Sequence, residues 1–291
     1  MPIRAVLAAI LVAICWGGNF TASHFALLEF PPYFMLLLRF TGVALVLAPF
    51  VWRYPVPPLR DMALIALFLI VIQFSFVFSA MNMGLSITSV VVATQLGVPF
   101  ACVLAAILFK DYLGPWRSGG LVVAFLGVLM VAGTPNASDH WGAFLLAVLG
   151  SFGWSVANVR LKQLKVTPPV VPLLFWPALL SLPPLALLSA LFESGHSTLV
   201  QQAHWQGWAG VGYSLFFSSL VGYGVWNRLV ATYPMSTVVP YSLLVPVVGI
   251  AGGVITTGDP LTLQVLLGTL LTIAGVGVIS IRRPQLVEME Q

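Results

Sequence analysis

Residues 89–99 read SVVVATQLGVP, and residues 236–246 read STVVPYSLLVP. At an offset of 147 the two strings match from the leading serine to the closing proline. The pairing continues outward in the same order. Pro31-Pro32 falls on Pro168-Pro169, and Trp16 comes within one residue of Trp154. After a one-residue slip, Asp111, Leu113, Gly120 and Gly127 meet Asp259, Leu261, Gly268 and Gly275. Collinear matches of this kind mark a duplicated chain.

The composition says where the duplicated unit lives. Of 291 residues 59% are hydrophobic and 7% charged, with twelve Lys+Arg against eight Asp+Glu. A soluble domain carries about 25% charged residues, so this chain could not cover a solvated surface. Continuous apolar runs exclude an outer-membrane barrel, whose strands alternate polar and apolar residues. The fold class expected is all-α integral membrane.

A span needs roughly 20 apolar residues, and turn residues and charges divide the chain into ten such stretches. They run about 5–26, 32–52, 62–81, 87–109 and 117–133, then 141–159, 170–192, 207–227, 237–256 and 262–281. Five is an odd number, so the second half enters the membrane from the opposite side. The architecture expected is ten transmembrane helices as two inverted five-helix repeats, 1–137 and 138–291, within one membrane unit. Repeats of this kind build transporters with a midplane substrate site exposed alternately to each side. The run after Arg4 imitates a signal peptide, but it continues past Trp16 and is taken as an uncleaved first span.

Cytoplasmic loops carry the Lys/Arg excess. With the N-terminus inside, Arg4, Arg53, Arg60, Lys110, Arg117, Arg160, Lys162, Lys165, Arg228, Arg282 and Arg283 all fall on the cytoplasmic side. The outer loops hold only Glu29, Asp139, Glu193 and Asp259 among the charges. Both termini are therefore expected in the cytoplasm. No basic run is long enough to track a phosphate backbone, so nucleic acid is not an expected partner. Cys15 and Cys102 lie inside apolar runs and read as packing residues.

Several strings resemble the EamA family of the drug/metabolite transporter superfamily. They are Trp16-Gly17-Gly18-Asn19-Phe20, Pro31-Pro32, Leu38-Arg39-Phe40, Asn82-Met83-Gly84, Gln95 and residues 240–249 (PYSLLVPVVG). The last, with Tyr223-Gly224-Val225-Trp226 before it, is similar to exporters of cysteine and O-acetylserine; exporters of aromatic amino acids share the architecture. The family usually has Glu after the fourth and ninth spans, where this chain has Asp111 and Asp259. The resemblance implies a secondary transporter of the inner membrane. It would export small neutral or zwitterionic amino-acid metabolites by alternating access. Another metabolite or multidrug exporter of the same superfamily is the alternative, and a channel or an intramembrane enzyme a distant one.

The polar residues within spans are the candidate substrate site: Trp16, Asn19, Arg39, Gln73, Asn82, Gln95, Trp154, Asn158, Trp176, Tyr241 and Ser242. Arg39 is the one basic residue that topology does not explain. It lies about 10 Å into the second span at 1.5 Å per residue. There it is either an anchor for a substrate carboxylate, a structural group on backbone carbonyls, or a side chain snorkelling outward. Its repeat partner is Trp176. No Asp or Glu lies mid-span, so a strongly cationic solute would be desolvated without a counter-ion. Asn19 and Asn158 stand one turn from Trp16 and Trp154 on the same helix faces. Amides such as these bind a solute's amino and carboxyl groups or bridge helices.

Pro172, Pro177, Pro183 and Pro184 in the seventh span, Pro240 and Pro246 in the ninth and Pro99 in the fourth predict interrupted helices. Gly249 with Gly253, and Ser214, Ser218 and Gly222, form small-residue faces that predict close helix packing. His24, near the outer end of the first span, is a proton carrier or an interfacial histidine. His140, His196 and His204 lack companions at metal-ligand spacing, so no metal is expected. Absence of a G-x-x-x-x-G-K-[ST] loop excludes direct ATP drive by this chain, and no G-x-S-x-G is present. No cofactor and no catalytic residue is expected. The partners expected are a small-molecule substrate and the lipid bilayer, with a proton or no coupling ion, and the chain is a monomer or a weak homodimer.

Overall fold

The computed structural model describes residues 1–109, 113–164, 168–233 and 235–281, and over them the chain is helical. Lys110, Asp111, Lys165, Arg282 and Arg283, used above, lie outside the described residues. Among the described residues nine helices are long and apolar enough to cross a membrane. These are Ile3–Leu27, Pro32–Val51, Leu59–Asn82, Ile87–Leu108, Gly114–Ala132, Trp141–Lys162, Val170–Phe192, Pro240–Thr257 and Leu263–Ile281. The remaining one, eighth in order, runs without interruption through Trp205–Tyr213, Ser214–Gly222 and Tyr223–Thr232. Its Gly, Ser, Tyr and Trp content makes it less apolar than the others. The ten expected spans are thus present, and the protein is a multi-pass membrane protein.

Helix pairing carries the symmetry of the duplication. The first span packs on the eighth and ninth, and the sixth packs on the third and fourth. The second packs on the seventh, and the fifth on the tenth. Exchanging every span for the one five away leaves this set unchanged.

Glycines on the fifth and tenth spans give the direction. The sequence repeat aligns Gly120 with Gly268 and Gly127 with Gly275, but the contacts are crossed. A Cβ on Gly120 would lie 2.9 Å from the carbonyl oxygen of Gly275, and one on Gly127 2.5 Å from that of Gly268. The reverse approaches are 2.6 Å from Gly275 to the Gly120 oxygen and 2.8 Å from Gly268 to the Gly127 oxygen. Crossed pairing requires the two helices to run antiparallel, as inverted repeats must.

Two irregularities recur in both halves. The fourth span stops at Thr94 and resumes at Gly97, and the ninth passes through a 3₁₀ segment, Val239–Leu243, before Leu244–Thr257. Pro99 and Pro246 cannot supply the N–H that a continuous helix places on the carbonyl four residues earlier, so both breaks expected there are found. The third and eighth spans each contain a nine-residue π-helical stretch, Ala66–Phe74 and Ser214–Gly222. Sequence gave no warning of these.

The seventh span corrects an expectation, because Val170–Phe192 remains one helix through Pro177, Pro183 and Pro184. Pro172 sits in the first turn, where its missing N–H has no intrahelical role. For the inner three, a locked φ near −65° suits a helix. Unwinding in lipid would strand more backbone groups than the prolines do.

Three of the helices that begin at one end of the bundle, the second, fourth and eighth spans, are capped there by acids. Glu193 accepts from the backbone N–H groups of Tyr33 (2.7 Å) and Phe34 (2.8 Å) at the start of the second span. Asp259 accepts from Thr88 N–H (2.8 Å) at the start of the fourth. Glu29 accepts from the backbone N–H (3.2 Å) and Nδ1 (2.9 Å) of His204 at the start of the eighth. A carboxylate at a helix N-terminus satisfies orphan donors and opposes the helix dipole. Three of the four acids assigned to outer loops therefore have a structural occupation.

Candidate substrate site

Arg39 is the largest fully buried side chain, with a relative exposure of 0%. That exposure overturns snorkelling as its explanation. Its Nε and Nη2 donate to the hydroxyl of Ser219 (3.1 and 3.0 Å), and Nη2 also reaches the hydroxyl of Ser218 (3.3 Å). Both serines lie in the π-helical stretch of the eighth span. The guanidinium carbon stands 4.6 Å from the ring centre of Phe74 and 5.1 Å from that of Phe40. Nη1 is buried without a hydrogen-bond partner.

Neutral hydroxyls and rings offset only part of the cost of burying this cation. A desolvated cation–π contact is worth about 2 kcal/mol, while the effective penalty for a buried ion is several kcal/mol. Among the described residues no carboxylate forms an ion pair with Arg39. The site therefore holds a positive charge with one open donor.

Trp16 meets the same π-helical stretch from the first span. Its indole N–H donates to the carbonyl oxygen of Ser218 (3.2 Å), and its ring packs against Tyr223 (5.2 Å between centres) and Trp226 (5.3 Å). A Cβ on Gly222 would come within 2.6 Å of the Trp16 indole nitrogen, so Gly222 gives the ring its seat. The stripe Ser214, Ser218 and Gly222 thus packs closely as expected, with Gly222 against Trp16, and its Ser218 also meets Trp16 and Arg39. Gly249 and Gly253 do pack closely, against Val91 (2.8 Å) and against Ile87 and Thr88 (3.1 Å each) of the fourth span.

The remaining candidates separate by depth. Asn19 lies eight residues before Leu27, Gln73 nine before Asn82, Gln95 eight after Ile87 and Arg39 seven after Pro32. At 1.5 Å per residue all four stand about 10–14 Å from the acid-capped end. Asn19 Oδ1 and Gln73 Oε1 are buried without partners. Gln95 caps the upper piece of the broken fourth span. Trp16 is about one turn deeper.

Trp154, Asn158, Trp176, Tyr241 and Ser242 form a second tier nearer the opposite end, where the sixth span finishes and the seventh and ninth begin. Trp154 lies on Gly97, at the break in the fourth span, where a Cβ would meet the ring at 2.8 Å. Asn158 turns back to donate to the Trp154 carbonyl (2.8 Å). The Trp176 indole nitrogen is buried and unpartnered. Tyr241 packs against the cluster of Ala5, Ala9 and Leu229. Asn82 joins neither tier, because it is exposed at the terminus of the third span.

Ser218, Ser219, Phe74, Tyr223 and Trp226 contact Arg39 or Trp16 and are not among the binding groups that the sequence suggests. The TyrGlyValTrp string at 223–226 and the small-residue stripe were the available signals. His24 is half-buried and stacks edge-on with Phe25 at 5.8 Å.

Comparison with known proteins supplies the context for this geometry. The pattern of the EamA-like transporter family matches residues 3–133 and again 141–281. A probable amino-acid metabolite efflux pump of Salmonella typhimurium is 31% identical over 275 residues, 92% of this chain and 91% of that protein. A protein of the same description from Escherichia coli is 30% identical over the same shares. An uncharacterized transporter of Bacillus subtilis is 23% identical over 94% of this chain and 96% of its own length. One crystal structure, 18% identical, shares the fold with a TM-score of 0.62 over 96% of each chain.

Proposed function

The chain belongs to the EamA-like transporter family, and from that premise we propose that it exports small zwitterionic or neutral amino-acid metabolites across the cytoplasmic membrane. Solutes of the cysteine and O-acetylserine type, or with aromatic side chains, fit best. The observation that carries this reading is Arg39, a buried cation with an open Nη1 and no protein counter-ion among the described residues. A solute carboxylate would complete it. The descriptions of the Salmonella and Escherichia relatives agree with that substrate class.

Transport runs by alternating access, with 1–137 and 138–291 as the two inverted units and both termini in the cytoplasm. The π-helical stretches of the third and eighth spans and the break in the fourth carry residues of the upper tier, and the break in the ninth carries residues of the lower one; such irregular backbone at membrane depth is tolerated where it is buried in protein or lines a cavity. Three of the four acids at the outer end, Glu29, Glu193 and Asp259, are engaged as helix caps, which leaves only the exposed Asp139 there to recruit an organic cation. A proton or no ion couples the cycle.

Purified protein in liposomes tests the reading. Labelled L-cysteine, O-acetyl-L-serine and L-phenylalanine are each offered against methyl viologen. Flux of at least one amino acid is expected. Flux confined to the cation would overturn the proposal and favour a multidrug exporter.

A further inference from the structure

We infer that Asn19, Arg39 and Gln73 form one subsite that reads both charged groups of an α-amino acid, Arg39 taking the carboxylate and the two amide oxygens taking the ammonium. The inference rests on the substrate class proposed above and adds a requirement to it: the solute must present both groups unblocked.

The three open atoms differ in kind. Arg39 Nη1 is a charged donor, while Asn19 Oδ1 and Gln73 Oε1 are neutral acceptors. All three are buried, and Asn19 is only 7% exposed as a residue. They sit on the first, second and third spans, each of which packs on the other two. Their depths from the acid-capped end agree to within about one helical turn. Phe74, the neighbour of Gln73, lies under the Arg39 guanidinium, which ties the third span to the arginine at that level.

A buried acceptor without a partner is costly. Helix-bridging amides would be expected to satisfy one another, yet neither oxygen meets a donor among the described residues. Among the charged and amide side chains of this tier the unmet set is one cationic donor and two acceptors, the polarity of a zwitterion reversed; the unmet hydroxyls of Thr21 and Ser75 beside them can donate or accept. It suits no other common metabolite class as well. A carboxylic acid without an amine would leave both oxygens unmet, and an amine without a carboxylate would face an uncompensated Arg39.

The Trp176 indole, also unmet, belongs to the other tier, about 9 Å from the opposite end. It is not part of this subsite.

Competition in liposomes decides the matter. Uptake of labelled L-phenylalanine, or of L-cysteine if that is the one transported, is challenged with the unlabelled amino acid, its N-acetyl derivative, its amide and the decarboxylated amine. The parent should compete, and each of the other three should be at least about tenfold weaker, equivalent to 1.4 kcal/mol. An N-acetyl derivative that competes as well as the parent would sink the ammonium site while leaving amino-acid transport intact. Failure of every amino acid to be transported would instead sink the proposed function. Variants assign the atoms. Asn19→Leu and Gln73→Leu should narrow the gap between parent and N-acetyl derivative and leave the gap to the amide. Arg39→Gln should do the reverse. Loss of both gaps together in each variant would refute the division of roles, and the wild-type competition stands even if a variant does not fold.

Discussion

Arg39 on the second span donates twice to the hydroxyl of Ser219 on the eighth, at 3.1 and 3.0 Å, joining the two halves of the duplicated chain in the middle of the bundle. The Ser219 hydroxyl in turn donates to the carbonyl oxygen of Ser214 (2.9 Å), five residues back in the same π-helical stretch. One serine therefore fixes the guanidinium and seals a backbone carbonyl that a normal α-helical turn would not present to it.

Ser219→Ala should consequently destabilise the protein by about 1.5–3 kcal/mol, the range for hydrogen bonds to charged groups. Ser219→Thr, which retains the hydroxyl, should restore most of it. Thermal unfolding of purified protein in detergent measures both. Equal melting temperatures for Ala and wild type would show that Ser219 is not what holds the arginine.

Arg39→Ala should weaken transport of carboxylate-bearing solutes more than that of their amides. Truncation also vacates the space over Phe74 and Phe40, so some loss of stability accompanies it. The ratio of acid to amide transport separates the two effects. Equal loss for both solutes would leave Arg39 a purely structural residue.

Glu193 should behave as a cap. Glu193→Ala strips acceptors from the Tyr33 and Phe34 N–H groups and from the Ser189 hydroxyl (2.7 Å). A cost of about 1–2 kcal/mol is expected, with transport per folded molecule unchanged. Transport lost without any fall in melting temperature would give Glu193 a role in the cycle.

Membrane orientation is open to a direct chemical test. The natural cysteines, Cys15 and Cys102, are both buried, while Ser138 and Arg60 are exposed at opposite ends of the bundle. A membrane-impermeant maleimide should label Ser138→Cys in intact cells and Arg60→Cys only after permeabilisation. The reversed pattern would invert the topology.

How far the sequence carried the structure depended on whether a signal was local. Span number, the repeat and the breaks near Pro99 and Pro246 were legible because apolar length and proline chemistry act within one segment. The unbroken seventh span was not, since lipid raises the cost of unwinding beyond what proline costs in water. The π-helical stretches were hidden for a different reason. Ala66–Phe74 is an ordinary apolar run, and nothing in it encodes a wider turn. In the eighth span the partners that accompany the wider turn, Arg39 and Trp16, lie about 180–200 residues away in sequence. Ser218 reads as a packing residue and Ser219 goes unmarked, because their occupant is on another helix. Asn82, exposed at the end of the third span, stands apart from the other candidates because helix ends are the least defined positions in a sequence.

Glycine substitutions should distinguish close backbone contact from helix propensity on a single span. Gly127 and Gly119 both lie in Gly114–Ala132. A methyl group on Gly127 would meet the Gly268 oxygen at 2.5 Å and the Thr272 backbone nitrogen at 2.5 Å, atoms that cannot move aside without displacing the tenth helix. Nothing lies within 4 Å of the corresponding position on Gly119. Gly127→Ala should therefore cost about 1–3 kcal/mol from overpacking. Gly119→Ala should gain about 0.5–1 kcal/mol from the lower flexibility of alanine in the unfolded chain. Because the contact is reciprocal, Gly268→Ala should match Gly127→Ala, and the double variant should cost less than the two added together. Strict additivity in thermal unfolding would mean that the two glycines do not face each other, and with them the antiparallel pairing of the fifth and tenth spans would fall.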